Sequence, residues 1–167
     1  TIDHMHAGWL KLVRPSIEAG NFKAFKHNVA EIVRDFDTVP LKAGRKPRVG
    51  VVGEILVKYS PIANNDVVHL LEREGAEVVV PDIVGFMNYS LYNQLYRYDH
   101  LGASAKAKWF AKFAMQLIDW CEKPLQQALT ASERFDGIEA IDAIADDASK
   151  VLSLGNQTGE GWFLTGE

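Results

Sequence analysis

The stretch RVGVVGEILVKYSPIANND, residues 48–66, decides the predicted fold. It opens with a short apolar run rich in β-branched residues, which is bounded by Pro47 and Gly53. Such a run is typical of a strand that is covered on both faces. The polar residues that follow form either a ligand-binding loop or an ordinary connection to a helix, and the sequence leaves both open.

A helix and a second strand follow this run. Apolar residues recur at helical spacing within 65–74, and Gly75 is placed to end that helix. A second apolar run, 77–80, stops at Pro81. A strand, a helix and a strand within so few residues predict a βαβ unit whose two strands are parallel.

Further helices are predicted on both sides of this unit. The clearest contains Phe22, Phe25 and Val29 at spacings of three and four, behind the candidate cap Asn21. Another is predicted over 138–152, and its apolar face consists of Ile141, Ile144, Ala145, Ala148 and either Val151 or Leu152. The predicted fold class is therefore α/β, with a short parallel sheet in a flavodoxin-like βαβ core and a large helical portion.

Four successive parts are expected within a single α/β domain or a fragment of one. They are a helical lead-in at 1–46, the βαβ core at 47–84, a helical portion at 85–152 and a glycine-rich tail at 153–167. The chain begins without methionine and ends in the glycine-rich stretch, and two parallel strands are few for a stable sheet. We therefore expect a fragment of a longer protein.

Aromatic residues fill the predicted helical portion. Two groups recur at helical spacing: Phe86, Tyr89, Tyr92, Tyr96 and Tyr98, and then Trp109, Phe110, Phe113, Leu117 and Trp120. This spacing favours a buried core over a base-stacking or flavin-binding surface. The single cysteine, Cys121, lies on an apolar helical face, which predicts a buried structural thiol.

Composition narrows the classes of function. The net charge of −4 argues against nucleic-acid binding, and the densest basic cluster (Lys42, Arg45, Lys46, Arg48) is interpreted as a solvated linker. Neither a transmembrane helix nor a signal peptide is predicted, so a cytoplasmic protein without a membrane partner is expected. His4 and His6 face different sides of a helix, so no metal site is expected there.

Candidate site residues follow the first predicted strand. Ligands of open α/β sheets bind beyond the carboxyl ends of the strands, which makes Gly53, Tyr59, Ser60, Asn64 and Asn65 candidates for substrate binding. Glu54 and Lys58 are candidate catalytic residues, as a proton-handling carboxylate and as the charge for a phosphate or thioester oxygen. Neither of the common phosphate-binding glycine motifs is present.

The tail contributes a second set of candidates. In NQTGEGW, residues 156–162, the residues Gln157, Thr158, Gly159 and Gly161 suit a polar ligand or a close domain contact, with a flexible linker as the alternative. Glu160 is the third candidate catalytic residue, and Trp162, Phe163 and Leu164 are expected to be buried. We expect the loop 53–65 and the tail 155–161 to meet at one edge of the sheet.

Two motifs, KPRVGVVGEILVKYSPIANND (46–66) and LSLGNQTGEGWFLTGE (152–167), resemble the iron-sulfur component of the 2-hydroxyacyl-CoA dehydratase family. The resemblance extends to the carboxy-terminal portion of long bacterial proteins described as CoA-substrate-specific enzyme activases. It covers nearly the whole chain, including YDHLGASAKAKWFAKF (98–113) and KPLQQALTASERF (123–135). The two motifs together indicate this family more specifically than either motif does alone.

The resemblance implies an electron-transfer system of anaerobic bacteria with lyase activity. In such a system an ATP-hydrolysing activase passes one electron to a partner that holds cysteine-bound four-iron clusters, and the reduced partner transforms a CoA thioester through a ketyl radical. The parent protein would thus use a four-iron four-sulfur cluster and ATP, with the CoA thioester as substrate and an activase or other domains of the same chain as partners.

The chain departs from that family in its cysteines. One thiol cannot hold a cluster that takes four, and the family pattern continues past this tail into a cysteine-bearing strand. We therefore expect no cofactor in this chain and no activity in isolation. The alternative is a non-catalytic, flavodoxin-like binding or docking module within a larger protein.

Overall fold

The computed structural model describes residues 2–41, 44–156 and 161–166 of the 167-residue chain. Helices dominate these ranges, and two short β-strands pair with each other. The chain divides into two compact units. The first unit comprises Thr1–Lys42 and Asp119–Ile138, and the second comprises Ala43–Ile118 and Glu139–Glu167.

A helical hairpin forms most of the first unit. Helix α1 (Ile2–Glu18) packs against α2 (Phe22–Asp37). The turn between them uses Gly20 in the left-handed region, with a φ of +60°. Asn21 then starts α2, because its side-chain oxygen accepts a hydrogen bond from the Ala24 amide at 3.0 Å. The predicted cap is thereby confirmed.

The second unit contains the parallel sheet. Strand β1 (Arg48–Gly50) pairs with β2 (Glu77–Val79) in the register Arg48↔Glu77, Val49↔Val78 and Gly50↔Val79. Helices α3 (Ile55–Lys58) and α4 (Val67–Arg73) lie between the strands in sequence, and α4 packs on β2. The α/β class with a parallel pair and a large helical part is confirmed.

The prediction that the first strand is covered on both faces was wrong. Arg48 and Gly50 are exposed and Val49 is only half-buried. β1 has one neighbouring strand among the described residues, so its side chains have few groups to pack against. Arg48 instead approaches its cross-strand neighbour Glu77, with 3.6 Å between Nε and Oε1 in solvent.

Helix α5 (Ile83–Leu101) follows the sheet and has defined ends. Asp82 caps it through a side-chain oxygen that accepts a hydrogen bond from the Gly85 amide at 2.5 Å. Gly102 ends it in the left-handed region, with a φ of +68°. These two residues fix where the aromatic face of α5 begins and ends.

The core of the second unit joins three helices. Helix α7 (Ile141–Ser149) packs against α5 and α8 (Gly161–Gly166), and the buried residues are Tyr89, Ile141, Ile144, Ala145, Ala148, Trp162 and Phe163. The predicted apolar face of α7 and the burial of Trp162 and Phe163 are confirmed. Leu152, rather than Val151, packs against this core. The helix in the tail was not predicted.

The long helix α6 (Ala105–Thr130) contradicts two predictions. Its aromatic group was expected in the core, yet Trp109 is 71% exposed and Phe113 is 53% exposed. Cys121, predicted to be buried, is also exposed. The fully buried residue of α6 is Ala111, which lies two positions from Trp109 and therefore on the opposite face of the helix.

No helix within the described ranges has the length and apolar character needed to cross a membrane.

Candidate functional site

A cleft of about 970 Å³ runs along α5 in the second unit. This volume lies at the upper end of the range typical of small-molecule sites. We refer to it as the α5 cleft. Its lining consists of Val52, Gly53, Glu54, Ile55, Phe86, Tyr89, Ser90, Asn93, Gln94, Tyr96, Arg97, Leu101, Leu154 and Gly155.

One face of α5 supplies the floor of the cleft. The lining residues of α5 recur at spacings of three and four, so they lie above one another along the helix. Phe86 and Arg97 are eleven residues apart, which corresponds to about 17 Å at the rise of an α-helix. The floor thus changes from aromatic at Phe86 and Tyr89, through the amides of Asn93 and Gln94, to an end that Arg97 lines together with Tyr96 and Leu101.

The loop after β1 forms the wall near Phe86. Glu54 starts α3 there, because its side-chain oxygen accepts a hydrogen bond from the Val57 amide at 3.1 Å. Lys58 is 3% exposed, and its ammonium lies 5.9 Å from the ring centroid of Phe86 and 4.8 Å from that of Tyr59. Cation–π attraction at these distances stabilises a buried lysine.

The turn Leu154–Asn156 forms the wall near Tyr96. A Cβ atom on Gly155 would lie only 2.5 Å from the Tyr96 hydroxyl oxygen, so the backbone can approach the ring because residue 155 is glycine. The Tyr96 ring also packs against His100, with 4.3 Å between the ring centroids. This end of the cleft is therefore closely fitted.

The structure divides the predicted loop residues between two cavities. Gly53 and Glu54 line the α5 cleft. Lys58, Tyr59 and Asn64 line a second pocket of about 670 Å³, which is completed by Pro61, Asp66, Val68, His69, Val80, Asp82 and Ile83. The other two predicted residues, Ser60 and Asn65, line neither cavity.

The loop between α3 and α4 is held by its own hydrogen bonds. The Asn64 amide donates to the carbonyls of Val57 at 3.1 Å and of Lys58 at 2.8 Å. Asn65 and Asp66 then adopt left-handed backbone conformations, with φ values of 57° and 56°. Asn64 is therefore a residue that shapes the loop, and its side-chain oxygen lies 3.4 Å from the Val67 amide at the start of α4.

A charged pair lies at the edge of the second pocket. The His69 ring nitrogen Nδ1 lies 2.8 Å from an Asp66 carboxylate oxygen. The hydrogen bond and the negative charge of Asp66 raise the pKa of His69 above 6.5. Tyr59 closes another side of the pocket by donating its hydroxyl hydrogen bond to the Pro81 carbonyl.

The predicted tail residues Gln157, Thr158, Gly159 and Glu160 lie outside the described residues, and Gly161 begins α8. What the structure does bring together is the start of each motif segment: 53–55 of the loop and 154–155 of the tail line the same cleft. The relation between Glu54 and Glu160 stays a prediction.

Sequence reasoning missed the polar floor of the cleft. Asn93, Gln94 and Arg97 were not predicted, because the aromatic residues around them favour a buried core at this helix. A signal was present, since Asn93 and Gln94 precede Arg97 by four and three residues on a helix that also carries five aromatic residues.

Comparisons with known proteins add no relative: no family model, no curated protein and no solved structure matches this sequence. Within residues 2–41, 44–156 and 161–166, no group of three or more His, Cys, Asp or Glu side chains could hold a metal ion. The case for a function therefore rests on the geometry of the α5 cleft.

Proposed function

We propose that the chain is the CoA-thioester-binding part of a 2-hydroxyacyl-CoA dehydratase-like protein of the CoA-substrate-specific activase type. One observation carries this proposal. The two motifs that resemble this family lie about 100 residues apart in the sequence, yet Gly53 and Glu54 of one and Leu154 and Gly155 of the other line a single cleft. A shared cleft is what motifs that serve one ligand require.

The proposed parent carries out ATP-driven one-electron reduction of the thioester in the cytoplasm of an anaerobic bacterium. A four-iron cluster takes about four cysteine thiolates, and this chain contains one cysteine, which is exposed on α6. Its residues do not fit such a cluster, so the cluster and the ATP site belong to other domains of the parent. The part of this chain is to bind and orient the thioester, and it is inactive in isolation.

Each wall of the cleft has a place in this proposal. Gly53 and Gly155 leave room for the ligand and for Tyr96 beside it. Glu54 holds the start of α3 and presents a carboxylate to the cleft, while the buried Lys58 places a positive charge behind Phe86. Lys58, which lines the second pocket, remains the candidate charge for a phosphate or thioester oxygen. Glu54 and Glu160 remain the candidate hydrogen-bonding or proton-handling carboxylates.

A binding experiment tests the proposal. Titration calorimetry of a short 2-hydroxyacyl-CoA into the chain is expected to show one site. Gln94→Trp, which fills the middle of the cleft, is expected to weaken binding by about tenfold or more, equivalent to about 1.4 kcal/mol. Gln127→Trp is the matched control, because Gln127 is exposed on α6 and does not line the cleft. Absent binding, or equal binding by both variants, contradicts the proposal.

The second candidate is a non-catalytic docking module in a larger protein, with a flavodoxin-like sheet completed by strands from the remaining chain. The exposed aromatic face of α6 favours it, since Trp109 and Phe110 are 71% and 62% exposed. Hydrogen exchange discriminates the two. Docking predicts that amides of 105–117 exchange more slowly in the full parent than in this chain, whereas ligand binding protects α5.

A further inference from the structure

We infer that the α5 cleft binds an elongated ligand that carries a phosphate, with the phosphate held by Arg97 and an apolar group placed against Phe86 and Tyr89. The inference rests on the proposed function, because it assigns a ligand class and an orientation to the same cleft. Its basis is the change of chemistry along the floor, from rings at one end to a guanidinium about 17 Å away.

Arg97 has the freedom that an anion-binding residue needs. It is exposed at the cleft, and no other described residue forms a hydrogen bond or ion pair with its guanidinium. The nearest carboxylate along the helix, Asp99, is occupied by Lys108 with 2.6 Å between Oδ1 and Nζ. The hydrogen bond from Lys108 lowers the pKa of Asp99 and keeps this carboxylate paired with Lys108.

The groups around Arg97 favour a phosphate over a carboxylate. Asn93 and Gln94 precede Arg97 by four and three residues, so all three side chains project from one face of α5. Two amide groups and a guanidinium together offer more donors than the two oxygens of a carboxylate accept. A phosphate monoester has three acceptor oxygens, and arginine binds two of them in parallel.

The end of the cleft at Phe86 is suited to an apolar group. Phe86 and Tyr89 tilt against each other with 5.8 Å between ring centroids, and Phe86 and Tyr89 line the cleft. Ile55 and Val52 complete an apolar surround at the loop wall. An acyl or other apolar group is desolvated there.

The test compares ligands that differ by one phosphate. Acyl-pantetheine and its 4′-phosphate are titrated into the full chain by calorimetry. We expect the phosphorylated ligand to bind at least tenfold more tightly, and Arg97→Gln to abolish this difference while leaving the affinity for the unphosphorylated ligand within twofold. Arg97→Lys is expected to retain part of the preference, since lysine binds phosphate as a point charge.

Controls separate this inference from the proposed function. Arg73→Gln, at an exposed arginine of α4 outside the cleft, is expected to keep the full phosphate preference. Equal binding of both ligands by the unaltered chain, or a preference that persists in Arg97→Gln, overturns the inference while the thioester site stands. Tighter binding of an acyl-pantetheine that carries a carboxymethyl group on its 4′-oxygen in place of the phosphate also overturns it.

One more probe covers the case in which no thioester binds. Inorganic pyrophosphate is titrated into the unaltered chain and into Arg97→Gln. If pyrophosphate binds to the unaltered chain but not to Arg97→Gln, the phosphate site is supported and the proposed thioester function is contradicted. Absence of binding by pyrophosphate and by both pantetheine ligands rejects both.

Discussion

Helices α5 and α6 are adjacent in sequence and both rich in aromatic residues, yet only α5 is covered. Tyr89 of α5 is 3% exposed, and the Trp162 ring from α8 lies 5.1 Å from it. Trp109 of α6 is 71% exposed, and the one described ring that stacks on it is Phe113 of its own helix, with 6.0 Å between the ring centroids. The same residue types at the same spacing have opposite surroundings.

The difference shows what helical spacing does and does not specify. Spacing defines a face, because residues three and four apart lie together on any helix. Whether the face is buried depends on a distant element, here α8, which supplies Trp162 and Phe163 to α5. No described element does this for Trp109 and Phe113 of α6, whereas Trp120, further along the same helix, stacks on Phe22 of α2 with 5.1 Å between the ring centroids.

The largest expected difference in the free energy of unfolding is between replacing Trp162, which packs on α5, and replacing Trp109 on α6. Trp162→Ala removes a fully buried side chain and is expected to lower the free energy of unfolding by about 3–5 kcal/mol. Trp109→Ala removes an exposed one and is expected to change it by less than about 0.5 kcal/mol. Urea unfolding followed by far-UV circular dichroism measures both. Equal losses would mean that the face of α6 is covered in solution.

A smaller difference in stability is expected between alanine substitutions at Gly155, which contacts α5, and at Gly8 in α1. Gly155→Ala brings a Cβ atom to within 2.5 Å of the Tyr96 hydroxyl, and the resulting shift is expected to cost about 1–3 kcal/mol. The control Gly8→Ala lies in α1 with no atom within 4 Å of the added Cβ, and it is expected to stabilise the chain by up to about 1 kcal/mol. Thermal unfolding checks both signs, and a stabilising Gly155→Ala would contradict the close fit at Tyr96.

The N-caps of α5 and α6 are expected to contribute equally to stability, although the aromatic residues of the two helices differ in burial. Asp82 accepts a hydrogen bond from the Gly85 amide at the start of α5, and Ser104 accepts one from the Lys106 amide at 3.2 Å at the start of α6. Asp82→Ala and Ser104→Ala should each cost about 1 kcal/mol, because a cap acts on its own first turn. A cost confined to Asp82→Ala in urea unfolding would show that α6 is already frayed.

The smallest effect concerns alkaline pH. Burial raises the pKa of Tyr92 above its ordinary 10.0, and the negative charges of Asp142, Asp146 and Asp99 raise it further. The folded state therefore holds this proton more tightly than the unfolded state. The associated stability is fully present below pH 10 and is lost as the pH rises through the raised pKa. Tyr92→Phe should flatten this part of the stability profile, and an unchanged slope would contradict the shift.

The sequence was informative where neighbours along the chain decide the structure. The parallel pairing of 48–50 with 77–79, the Asn21 cap and the apolar face of α7 were all predicted, because each depends on local spacing or a short connection. Whether a strand or a helical face is buried was not predictable in this way. The exposure of β1, Trp109 and Cys121 depends on which distant elements pack against them.

The candidate site shows the same limit. The position of Gly53 and Glu54 beyond β1 follows from the general rule for parallel sheets. The separation of Lys58 from Glu54 does not, because the one-turn helix α3 between them faces the α5 cleft on one side and the second pocket on the other. Arg97 lines the site because α5 runs along it, and the sequence signal for this was the spacing of Asn93 and Gln94 from Arg97.

The burial of Trp162 has an optical consequence. Its indole N–H is enclosed without a hydrogen-bond acceptor among the described residues, so this residue should emit at the blue edge of the tryptophan range and resist quenching by iodide. Trp109 and Trp120, which are 71% and 58% exposed, should emit further to the red and be quenched readily. Tyr89 and Tyr92 lie 5.1 and 5.4 Å from the Trp162 ring, close enough to pass their excitation to it. Light absorbed by these tyrosines therefore reports on the buried side of α5, and quencher-sensitive emission reports on the exposed side of α6 together with the half-buried Trp9 of α1.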